Sequence, residues 1–88
     1  MPRRERPLDA GDGPLVEFAA GLRQLRRKAG NPPYRRLAEQ AHYSISTLSS
    51  AASGQRLPTL AVTLAYVRAC DGDAEEWRER WREAAELL

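Results

Sequence analysis

Apolar positions along this chain recur at helical intervals in five successive stretches. Leu15, Phe18, Ala19, Leu22, Leu25 and Ala29 follow Pro14, a residue suited to the first position of a helix. Arg23, Arg26, Arg27 and Lys28 fall off that stripe. Gly30 supplies the positive φ that closes a helix, and Asn31-Pro32-Pro33 forces a turn. A short second helix is expected from Tyr34 to Ala41, with Leu37, Ala38 and Ala41 inward and His42-Tyr43 as the break. Ser44 is a good N-cap for a third helix, expected from Ile45 to near Ser53 and stopped by Gly54. Leu57-Pro58 is expected to open a fourth, with Pro58 near its first position and Leu60, Leu64 and Val67 inward. Asp71-Gly72 makes a turn. Asp73 to Glu76 is a variant capping box that starts a fifth helix, with Trp77, Trp81, Ala84 and Leu88 on one stripe. Glu76 and Arg80 form an outer i,i+4 pair.

This pattern predicts an all-α, compact five-helix domain over residues 14–88. Residues 1–13 hold Pro, Gly and charges of both signs, and are expected to be a flexible N-terminal arm. Eighty-eight residues make one domain, whose single core has little stability to spare. Leu and Ala dominate the apolar set, which favours helix over strand. The fifth helix reaches residue 88 in phase and without a stop signal, so further domains of the same chain are expected beyond it.

Charge adds an asymmetry. Residues 1–56 carry ten Lys/Arg against five Asp/Glu, or +5, and residues 57–88 carry four against seven, or −3, which together give the net +2. A basic first part suits a polyanion, and an acidic second part suits a surface turned away from it.

Several function classes lose support. Cys70 is the only cysteine, so neither an internal disulfide nor a cysteine zinc cluster can form. No apolar run approaches the ~20 residues of a membrane span. Arg3, Arg4 and Arg6 lead into Pro7, Asp9 and Gly11 rather than into the apolar stretch of a signal peptide. A cytoplasmic segment without membrane contact is expected. His42, the only histidine, reads as a turn residue, without ligands at metal spacing. Glu75, Glu76, Glu79, Glu83 and Glu86 interleave with arginines as a solvated helix face. Cys70 has no base but His42, which nothing places nearby. No catalytic constellation and no cofactor is expected.

Residues 34–58 carry the functional signal. Two short helices with a tight turn between them require a small residue where they cross, and Ala38 fits. Tyr43 is expected to plug the junction, Leu48 to anchor the third helix, and Ala51 and Ala52 to permit close approach. The other face of that helix reads Ser44, Ser46, Thr47, Ser49, Ser50 and Ser53. Serine and threonine are mediocre helix formers, but their small hydroxyls suit a groove about 12 Å wide. Ile45 fits a thymine methyl.

Residues 26–58 resemble the lambda-repressor-like, XRE-type helix-turn-helix family. The resemblance rests on Leu25-Arg26, Ala29-Gly30, Leu37-Ala38-Glu39, Ser44, Ser46-Thr47-Leu48-Ser49, Gly54 and Arg56-Leu57-Pro58. His42-Tyr43-Ser44, Val62-Thr63-Leu64 and Arg68-Ala69-Cys70 are similar to an actinobacterial subgroup, in which such domains often open larger regulatory proteins. The likeness extends over roughly residues 15–82. It implies a DNA-binding domain with its motif at about residues 34–53, double-stranded DNA as partner, and a homodimer on half-sites about one helical turn apart. It further implies that Ser44, Ile45, Ser46, Thr47 and Ser50 lie on the reading helix, that Tyr34 and Arg35 approach phosphate, and that Gln55 and Arg56 meet the other strand. The chain departs from the family in a longer helix 1–2 loop with Pro32-Pro33, in His42 at the usual turn glycine, and in Ala51-Ala52-Ser53 where Arg and Glu are common. Without an arginine on helix 3, weak or modest specificity is expected, or reliance on dimerisation and further domains. The competing expectation is a protein-interaction module that keeps the fold without binding DNA, which the uncharged helix 3 and the acidic helix 5 favour.

Overall fold

Five helices realise the periodicity: α1 (Pro14–Lys28), α2 (Tyr34–Ala41), α3 (Ile45–Ala51), α4 (Leu60–Ala69) and α5 (Ala74–Glu86). The computed structural model describes residues 13–88, so the arm expected before Gly13 lies outside the described residues. No strand occurs among them, and no helix is long and apolar enough to cross a membrane.

Helix α4 packs against all four others, and its sequence explains why. Val62, Thr63, Leu64, Tyr66 and Val67 are buried nearly all round the helix, as a central helix requires. Buried Thr63 satisfies its hydroxyl by donating to the Thr59 carbonyl at 2.9 Å. Helices α2 and α3 pack on each other and on α4, whereas α5 packs on α4 and α1. Phe18 and Leu22 of α1, Leu37 of α2, Leu48 and Ala51 of α3, and Trp77 and Ala84 of α5 close the common core.

Caps set the boundaries. Ser44 accepts the Thr47 amide, and Asp73 accepts those of Glu75 and Glu76. The start of α4 differs from expectation. Thr59 is the N-cap, accepting the Val62 amide at 3.1 Å, so Pro58 precedes the helix instead of opening it. Helix α3 ends at Ala51, two residues early, because Ser53 donates both its amide and its hydroxyl to the Ser50 carbonyl and so tightens the last turn. Asn31, His42 and Asp71 take positive φ, and all three are residue types that tolerate it. At Gly72 a Cβ would lie 2.8 Å from Leu25 Cδ2 and 2.9 Å from Val67 Cγ1, so the turn into α5 seats directly on α1 and α4.

Five outward or inward assignments change. Arg23 is buried rather than off the stripe, and its Nε donates to the Ala52 carbonyl at 2.8 Å. That bond ties α1 to the end of α3. Arg26 is half-buried, with its guanidinium 4.5 Å from the Tyr34 ring centroid and Nη1 donating to the Pro32 carbonyl at 2.6 Å. Tyr43 does not plug the helix junction but is exposed, and Leu37, Leu48 and Ala52 fill the interior. Ala29 and Leu88 are exposed as well, beyond the reach of the core at the ends of their helices.

Candidate nucleic-acid interface

The α2–α3 connection is built from two backbone devices. His42 is the left-handed C-cap of α2 (φ 62°, ψ 33°), and its amide donates to the Ala38 carbonyl at 2.9 Å. Ser44 is extended (φ −70°, ψ 157°), and its Oγ accepts the Thr47 amide at 3.1 Å. One residue lies between the two caps, so α3 leaves the turn at once, while buried Leu48 and Ala51 pin its inner side.

The outer side of α3 is exposed at Ser44, Ile45, Ser46, Ser49 and Ser50, with Thr47 half-buried. Ser44 Oγ lies 2.7 Å from Thr47 Oγ1 and 3.3 Å from Ser46 Oγ, so three hydroxyls form one cluster at the start of the helix. Ser50 lies one turn further on. Gln55 and Arg56 are exposed in the segment after α3, where the Gln55 amide donates to Ser53 Oγ at 3.3 Å. Arg35 is exposed in the first turn of α2.

Tyr34 stands at the head of α2. Its hydroxyl lies 3.2 Å from that of Tyr66, with the rings edge-on at 6.1 Å. Half-buried, it fastens the start of α2 to α4. Burial, and then the neighbouring Tyr34, push the Tyr66 phenol well above its ordinary range, so it stays protonated. Burial likewise pushes the Cys70 thiol up to about 11, with Arg26 lowering it and Asp71 raising it, so at neutral pH the sulfur is a small apolar packing group.

The arginines sort by partner. On α5, Arg78, Arg80 and Arg82 pair with Glu75, Glu76 and Glu79 at 3.7, 3.7 and 2.8 Å. By contrast, no carboxylate among the described residues lies within ion-pair distance of Arg35, Arg36 or Arg56. Arg36 was not among the expected contacts. Its adjacency to Arg35 is the signal, and the nearby Glu39 obscures it in sequence although Glu39 pairs with neither. Among the described residues no group of three or more His, Cys, Asp or Glu side chains is placed to hold a metal.

A helix-turn-helix domain family matches residues 17–81 of the chain. The chain belongs to that family. No curated protein and no solved structure matches it. In this helix-turn-helix domain the match begins in α1 and runs on through α4 into α5. Across the loop before α2, Arg26 reaches the Pro32 carbonyl and the Tyr34 ring together. Helices α2 and α3 thus rest on a support of Arg23, Arg26, Tyr34 and Tyr66, whose partners are the Ala52 carbonyl, the Pro32 carbonyl and one another's rings.

Proposed function

We propose that this domain binds double-stranded DNA with α3 in the major groove, as the DNA-binding part of a transcriptional regulator or larger regulatory protein. Ser46, Thr47, Ser50 and Ile45 face base edges. Arg35, Gln55 and Arg56, joined by Arg36, hold the phosphates and set the register. The observation that carries the reading is the pairing of an exposed, uncharged helix with flanking arginines that have no carboxylate of their own. Such cations gain most from phosphate, because no internal ion pair has to break first. Acidic α5 packs on α4 and α1, which suits a surface turned from the duplex. The chain works as one half of a homodimer on two half-sites, which compensates for the missing arginine on α3.

A salt titration tests this. Three phosphate-bound arginines give a slope of log K against log salt of about −3 per domain, at about −0.9 per phosphate. Substituting Arg56→Ala lowers that slope by about one. A flat salt dependence with weak affinity excludes the DNA reading and favours a protein partner.

A further inference from the structure

Ile45 is the one apolar residue exposed on α3. Ser46, Ser49 and Ser50 are exposed, and a hydroxyl both donates and accepts. It therefore pairs with the O4 acceptor of thymine as readily as with the N4 donor of cytosine. Between positions 44 and 54 there is no charged or amide side chain, so α3 has no fork that grips guanine or adenine bidentately. Two of the clustered hydroxyls, those of Ser44 and Thr47, are in addition committed to each other at 2.7 Å.

Ile45 is of another kind. It is a branched aliphatic side chain left 49% exposed, with Tyr43, 36% exposed, two residues before it. The residues at the start of the second helix of such a motif are the ones that reach base edges. An apolar side chain placed there has one complementary feature in the major groove, the C5-methyl group of a pyrimidine.

Resting on the reading of α3 as the groove helix, we propose that the domain reads pyrimidine C5-methyl groups through Ile45. Thymine and 5-methylcytosine are then favoured alike over uracil and cytosine, because the hydroxyls around Ile45 do not discriminate their donor and acceptor edges. Burial of one methyl group against Ile45 is worth about fourfold in affinity.

Four duplexes of equal length test this. They are alternating A·T, the same with uracil for thymine, alternating G·C, and the same with 5-methylcytosine for cytosine. Each is titrated with the native domain and with Ile45→Ala, which should fold because position 45 is exposed and Ala is the better helix former. The expected result is about fourfold or greater weakening when thymine loses its methyl, and a similar gain when cytosine acquires one. Both differences vanish in Ile45→Ala. Equal binding of the thymine and uracil duplexes, with a steep salt dependence retained, overturns the methyl reading but not DNA binding. Differences that persist in Ile45→Ala place the effect in duplex shape and overturn the role of Ile45. Failure to bind any duplex removes both.

Discussion

Changing Ser46 and Ser50 together to glutamate is expected to lower affinity for duplex DNA at least about a hundredfold, because like-charge juxtaposition costs several kcal/mol. Both side chains are exposed, and α3 is otherwise free of charge. The same change should leave the fold intact. Ser46 lies in the first turn of α3, where a negative charge is favourable, and Glu is a better helix former than Ser by a few tenths of a kcal/mol. What the fold loses is a 3.3 Å contact between the Ser46 and Ser44 hydroxyls at the surface. Fluorescence anisotropy reads the affinity, and a circular-dichroism melt reads the fold. Tight binding by the folded double variant would remove α3 from the interface.

Trp77→Ala is expected to do the reverse. Trp77 is 2% exposed and meets Phe18 edge-on at 5.4 Å, while the Arg80 guanidinium sits 4.0 Å from its ring. Gly21 of α1 lies so close that a Cβ there would be 2.9 Å from the indole. The ring therefore fills a socket that cannot collapse easily, and its removal should cost about 3–5 kcal/mol. A chain of 88 residues has about 4–13 kcal/mol in all. The thermal midpoint should fall by roughly 12 °C or more. Because α5 packs on α4 and α1, the folded fraction at low temperature should bind DNA with native affinity. Loss of affinity in fully folded Trp77→Ala would place α5 in the interface.

Ser44, Asp73 and His42 are legible from sequence because a cap or a left-handed residue acts on its own neighbours. The start of α4 is less so, since Leu57-Pro58 and Thr59 are both sound start signals and only the Thr59 hydroxyl bond decides between them. Arg23 and Arg26 lie four residues after buried Ala19 and Leu22, so helical spacing already places them beside the core. Their charge argues for the surface, and what reverses it is the carbonyl of Ala52 and the Pro32–Tyr34 corner, partners remote in sequence. The anchoring role of Tyr34 is hidden for the same reason. Its position at the head of α2 is local, but Tyr66, which claims its hydroxyl, is 32 residues away. The hydroxyl face of α3 is readable because a serine-rich helix is costly unless its surface has a use. The free state of Arg35, Arg36 and Arg56 is not, because it depends on where Glu39 and the acidic residues of α5 come to lie.

The most direct test of α3 as the reading helix is amide shift mapping of the isotope-labelled domain during titration with duplex DNA. The largest changes should fall on residues 44–50, on Arg35 and Arg36 and on Gln55 and Arg56, while residues 74–86 stay unmoved. Changes centred on α5, with residues 44–50 silent, would contradict that assignment.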